Sequence, residues 1–160
     1  MFYFTQTNLD NLTTDGVENA IRHFSSKRHT SLDFKSSSSY IQEDKYFLGF
    51  EGKNDLKITR IRTPFERFFP KLIISFPKDR QFEIYRIRYS ILSSIIFCIL
   101  LLAVLQSIYS FIMDKEFEND FIPLTIVFAI FLSLTFLEIK LTSRKIQNAI
   151  INHTKTNKHY

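Results

Sequence analysis

The side chains with the widest chemical range are few and poorly spaced for joint work. His23 and His29 lie six apart, as do His153 and His159, and that interval does not bring two imidazoles onto one face of a helix. They read as solvated surface groups. The carboxylates Asp44, Glu51, Asp55, Glu66, Asp79 and Glu83 are scattered through turns and strands, with no pair set for acid–base work. The only glycines are Gly16, Gly49 and Gly52, so there is no glycine-rich phosphate loop, and Gly49 marks a bulge or a close backbone approach in a strand. The single cysteine, Cys98, excludes an intramolecular disulfide and sits in an apolar run, where it acts as a small hydrophobe. No nucleophile meets a base. The chain therefore reads as non-enzymatic, with no metal and no cofactor.

The strongest grouping is basic: Arg86, Arg88, Lys140, Arg144 and Lys145, on the two flanks of an apolar segment. Such residues anchor topology, and each is worth about 1 kcal/mol beside an anionic lipid leaflet. They are candidate topology anchors and lipid head-group contacts. Arg86 and Arg88, two apart on a strand, point to one side. Nucleic acid is not an expected partner, because the first 88 residues mix fifteen bases with eleven acids and show no basic stripe. The expected partners are membrane lipids, with a protein partner or self-association through the apolar hairpin left open. Arg60 is the odd residue of its strand. Alternation places it with Leu56 and Ile58, and a buried arginine requires a carboxylate or carbonyl partner unless it meets an anionic ligand.

The elements that position these groups begin with the apolar run. Tyr89 to Met113 is twenty-five residues without a charge, roughly 37 Å as a helix, against a hydrocarbon core of about 30 Å. Its polar residues, including Gln106, cluster toward the ends and leave no continuous wet face. A second run, Phe121 to Leu137, reaches roughly 26 Å. Pro123 falls in its first turn and Asp120 is placed to cap it. The rest of the chain offers too little apolar surface to cover two such helices. The pair reads as a transmembrane hairpin around an acidic loop. Bases on both outer flanks put both termini in the cytoplasm. The opening "MFYFTQTNLDNL" lacks the basic start and long apolar stretch of a secretory signal. No ionisable residue lies inside either run, so proton relay is not expected.

The first half carries short-range signals for a small sheet. A helix over Asp15–Ser26 begins on a capping box of Asp15 and Glu18. "YFLGFEG" and "LKITRIR" flank "KND", and "KLIISF" and "QFEIYRIRY" flank "PKDR", giving two hairpins. "FYFTQ" and "SLDFK" bring the total to about six strands, and "KSSSSY" reads as a turn. In the tail, Ile139, Ile146 and Ile150 form a stripe expected to pack back on the sheet. The predicted class is α+β: a small cytoplasmic antiparallel sheet with one N-terminal helix (1–88), a membrane helix (89–113), a short acidic external loop (114–120), a second membrane helix (121–137) and a basic cytoplasmic helical tail (138–160). Residues 1–86 are expected to fold alone, marginally. The implied function is a binding or regulatory domain presented at the membrane; the alternative is an oligomeric membrane effector or channel-like assembly built from the hairpin.

The stretch "FLGFEGKNDLKITRIRTPFERFFPKLIISF" resembles a family of small uncharacterised bacterial membrane proteins with an F-x-G … R-I … F-x-P pattern, carried here by Phe47, Gly49, Leu56, Arg60, Ile61, Phe68 and Pro70. The likeness extends to Glu138 and the helical tail. It departs where the family often has an R-N pair before the F-x-P and this chain has Phe65 and Glu66. What the resemblance implies is the architecture, a β-rich domain leading into two spans, and a place in a bacterial inner membrane, with no activity.

Overall fold

The structure is a computed structural model that describes residues 5–8, 14–28, 30–33, 44–80, 84–114 and 121–156. It contains strands β1 (Thr5–Asn8), β2 (Ser25–Arg28), β3 (Phe47–Glu51), β4 (Asp55–Arg60), β5 (Leu72–Pro77) and β6 (Ile84–Tyr89), and helices α1 (Thr14–His23), α2 (Ile91–Asp114) and α3 (Phe121–Thr156). The strands form one sheet in the order β1-β6-β5-β4-β3-β2. Both hairpins form as their turn residues dictate, β3–β4 around Gly52 to Asn54 and β5–β6 after Pro77. The class is α+β, and two of the three helices are long and apolar enough to cross a membrane.

The sheet is mixed, not antiparallel, because β2 pairs with β3 in parallel. Eighteen residues separate Arg28 from Phe47, enough for the crossover that parallel neighbours require. The first helix stops three residues earlier than its periodicity suggests. Phe24 donates to the Ala20 carbonyl, and its own carbonyl accepts from Tyr46 and Phe47, so the chain leaves the helix to join the sheet at Ser25. Glu18 bonds Arg22 at 2.7 Å, and Arg22 in turn holds Glu51. Of "SLDFK", Ser31 to Asp33 is not a strand and the rest lies outside the described residues, as do "KSSSSY", Asp120 and the acidic loop from 115. Gly49 is a close approach: a Cβ there would stand 3.2 Å from the Ser25 Cβ across the parallel pair.

One sheet face carries Phe47, Leu56, Ile58, Ile74, Phe76, Tyr85 and Ile87, and it packs against Val17, Ala20 and Ile21 of α1 and Ile146, Ala149 and Ile150 of α3. The other face holds a smaller cluster of Leu32, Leu48 and Ile73. The tail therefore packs back as its stripe predicts. The second apolar run and the tail are one unbroken helix of 36 residues, roughly 54 Å long. Its first half leaves apolar side chains exposed, and its second half completes the core of the sheet domain.

Residues 1–86 alone lack the α3 side of that core. Against the expectation of autonomy, we predict that this fragment shows no cooperative unfolding transition by circular dichroism. In the full chain, Ile146→Ala should lower stability by about 2–5 kcal/mol through the cavity it leaves. A sharp transition in the fragment would show that α3 is dispensable to the fold.

Candidate functional site

Glu138 follows the apolar run directly and is 1% exposed. An isolated carboxylate cannot remain ionised at such a position, and here two arginines meet it. Arg60 donates from Nη2 to Oε2 at 2.6 Å and from Nε to Oε1 at 3.4 Å. Arg62 donates from Nε to Oε1 at 3.2 Å. The strand places them: Arg60 ends β4, and Arg62 continues the alternation one step further, onto the same helix-covered face. The remaining donors are also used. Arg60 Nη1 reaches Glu66 at 2.8 Å, and Arg62 donates to the carbonyls of Phe69 and Pro70, each at 2.8 Å. Glu66 also accepts the Thr63 N–H at 2.9 Å, which closes the turn at Phe65–Phe68.

Two arginines and two carboxylates balance in charge, and the groups respond unequally. Burial works against the Arg60 charge, but Glu138 and then Glu66 outweigh it and hold the guanidinium above its ordinary value. At Arg62 burial wins, against the attraction of Glu138, and the value falls. Burial also opposes ionisation of Glu66, which Arg60 and the Thr63 amide nonetheless keep below the usual carboxylate range. The arrangement is a structural clamp between β4 and α3.

A second ion pair fastens α2. Asp33 accepts from Arg88 Nη1 and Nη2, each at 3.0 Å, and from the Ile91 N–H at 3.1 Å, so one carboxylate joins β6 to the first turn of α2. Lys71 donates its backbone N–H to Ser93 Oγ at 2.8 Å and its ammonium to the Leu32 carbonyl. Burial, then the nearby Arg62, push the Lys71 pKa down to about 8. Between the two apolar helices, Phe97 packs on Phe128 and Phe131 with ring centroids 6.1 and 6.2 Å apart, and Tyr89 Oη donates to Thr135 Oγ1 at 3.0 Å.

The five basic residues singled out by sequence fall on two sides of the sheet. Arg86 and Arg88 pair across β5 with Ser75 and Ile73, which places them on the face away from α3. Arg88 is buried in its ion pair with Asp33, and Arg86 is half-buried. Lys140, Arg144 and Lys145 are exposed on α3, Lys145 with its ammonium 4.8 Å above the Tyr46 ring. Arg60 meets the carboxylate its strand position demands. Sequence reasoning passed over Arg62, Asp33, Arg67 and Lys71. Arg62 carried a usable signal, the same two-residue alternation as Arg60. Asp33 carried none, because its partner lies 55 residues away. The structure also brings His23 to His153, one from each six-residue pair, with ring centroids 6.0 Å apart. Among the described residues no group of three or more His, Cys, Asp or Glu side chains is placed to hold a metal ion.

No family model, curated protein sequence or solved structure matches the chain.

Two predictions follow from the charges. Glu138→Gln leaves two buried guanidiniums sharing one neutral amide and should destabilise the purified protein by about 3–5 kcal/mol in thermal unfolding, with a smaller loss for the more exposed Glu66→Gln. A Glu138→Gln loss below about 1 kcal/mol would mean that the carboxylate behaves as a solvated surface pair. Lys71 titrates lower in the folded chain than the 10.5 of a free lysine, so the unfolded state binds more protons between those two values. Stability should therefore rise with pH from about 8 toward 10.5, and Lys71→Met should flatten that rise in denaturant titrations.

Proposed function

We propose that the chain is a non-enzymatic, two-span protein of the bacterial inner membrane that holds a small α+β binding or regulatory domain against the cytoplasmic face of the lipid. The observation that carries this reading is α3. Its first half presents Ile122, Ile126, Val127, Ile130 and Phe136 to the exterior, and its second half lies in the domain core. Only 11% of the most apolar window in each long helix is buried within the protein. A core helix of a water-soluble domain is mostly covered, so the uncovered sides call for a hydrocarbon environment. The aromatic turn supports the same boundary. Phe65 and Phe68, 77% and 80% exposed, project beside the Glu138 clamp, at the level where α3 passes from its apolar half to its buried half, and aromatic side chains favour the membrane interface.

Bases outside the hairpin and acids within its loop set the orientation. The resemblance to small bacterial membrane proteins adds weight to the same arrangement. The partner is a protein or ligand that meets the domain at the membrane surface, and the rigid join of α3 to the sheet is what fixes the domain's pose there.

The test uses single cysteines on a Cys98→Ser background. An impermeant thiol reagent applied to intact cells should label Glu118→Cys, in the loop between the helices. Lys53→Cys, at the exposed β3–β4 turn, should label only after permeabilisation. Labelling of Lys53→Cys in intact cells reverses the orientation, and release of the protein from membranes by alkaline carbonate removes the anchoring role altogether.

A further inference from the structure

Before α2 begins, Phe65 and Phe68 are the only large apolar side chains exposed among the described residues. They stand three apart in one short helical turn, which hangs from the end of the sheet where α2 starts. The Lys71 carbonyl accepts from the Ser90 N–H at 2.9 Å, and the Lys71 N–H donates to Ser93 Oγ at 2.8 Å, so the β4–β5 connection is laced to the root of α2. A cleft of about 670 Å³ lies between the turn and the two long helices. Phe68 and Phe69 wall it on one side, and Ile91, Ile95 and Ile96 of α2 with Phe131 of α3 wall it on the other. Phe131 precedes Glu138 by seven residues, roughly 10 Å along the helix, which is the depth to which interfacial elements sink into a leaflet. Phe68 thus stands level with side chains that lie inside both apolar runs.

The backbone of the turn is suited to leaving water, because in lipid a polar backbone group needs a partner within the protein. Pro64 and Pro70 have no N–H to satisfy. The Thr63 N–H donates to Glu66 Oε2 at 2.9 Å and the Phe69 N–H to the Glu66 carbonyl at 3.1 Å, while the Phe69 and Pro70 carbonyls accept from Arg62. The clamp that seats α3 therefore also holds this turn, with both rings outward. The same apolar surface runs on through Leu92, Ile95, Ile99 and Leu102 along the exposed flank of α2. Whatever covers that flank covers the turn too, and for a membrane span the covering is hydrocarbon.

We propose that the Phe65–Phe68 turn is a third membrane contact, which enters the leaflet beside α2 with both rings among the acyl chains and with acyl chains filling the cleft between Phe68 and Ile95. The inference rests on the reading of α2 as a membrane span. It adds to that reading an element of the sheet domain, and it asks nothing of the lipid head group. Arg67 and Lys71 also line the cleft, and their stems are long enough to lie on its walls with the charged ends toward water.

The test is electron paramagnetic resonance on the full chain in phosphatidylcholine vesicles. On a Cys98→Ser background, the single substitutions Phe65→Cys, Phe68→Cys, Lys53→Cys and Leu102→Cys each carry a nitroxide, read against dissolved oxygen, which concentrates in hydrocarbon, and against a nickel chelate, which stays in water. Phe65 and Phe68 are exposed, so either substitution leaves the fold and the other ring in place. Collisions with oxygen should outweigh collisions with nickel at positions 65 and 68, as at 102, and the balance should reverse at 53, on the exposed β3–β4 turn. Nickel dominance at 65 and 68 with oxygen dominance at 102 overturns this proposal and leaves the spans standing. Low access to both reagents at 65 and 68 also overturns it, because protein, whether a partner or a second copy, would then cover the turn. Nickel dominance at 102 sinks the proposal together with the membrane reading.

Discussion

The rest of the structure depends on one buried negative charge. Glu138 stands where α3 leaves its apolar half, and a carboxylate removed from water at that point persists only if cations meet it with good geometry. Arg60 and Arg62 do so from the end of β4. Their positions fix both the height and the rotation of α3 against the sheet. Once Glu138 faces β4, the helical repeat brings Thr142, Ile146, Ala149 and Ile150 to the same side, and all four are buried. The domain core is thus completed by a helix whose placement is decided at its charged residue, and the apolar contacts further along supply the bulk of the burial energy.

The two long helices are fastened to opposite faces of one sheet. α3 is clamped through Glu138 on the face that also carries α1, while α2 is tied through Asp33, Arg88 and Lys71 on the other. Only Ser90 separates β6 from α2, so this junction has little slack. The aromatic contacts of Phe97 with Phe128 and Phe131 join the helices to each other close to the sheet. A tilt of either helix relative to the sheet must therefore strain an ion pair.

Much of this was legible in the sequence, for reasons that differ by element. The two apolar runs and both hairpins rest on local signals, unbroken hydrophobicity and turn residues between β-prone stretches, and they appear where those signals lie. Arg60 was legible too, because alternation alone condemned it to a buried face. What stayed hidden depends on contacts between distant residues. Nothing in "SSKR" distinguishes Ser25–Arg28 from the tail of a helix; the strand exists because β3 offers a free edge and Gly49 allows close approach. Arg88 read as an anchor at the lipid surface because its partner, Asp33, sits in a stretch with no regular structure. The division of α3 into span and tail reflected a change in composition that the backbone ignores.

A polar clamp at this position reinforces the register that the apolar contacts set. Sliding α3 by one helical turn, about 5.4 Å, would replace Ile139, Ile146 and Ile150 by Ser143, Ile150 and Thr154 in one direction and by Thr135, Thr142 and Ile146 in the other. The charged position makes either shift costlier still. One turn in one direction would set Leu134 beneath two arginines, and one turn in the other would set Thr142 there, in each case leaving guanidiniums buried and Glu138 without its cations. Separating one partner of a buried ion pair costs about 3–5 kcal/mol, a penalty that each displaced register would carry. Here that penalty falls at the point where α3 passes from its exposed apolar half to the half buried against the sheet, so the position of the sheet along the helix is set by Glu138, Arg60 and Arg62.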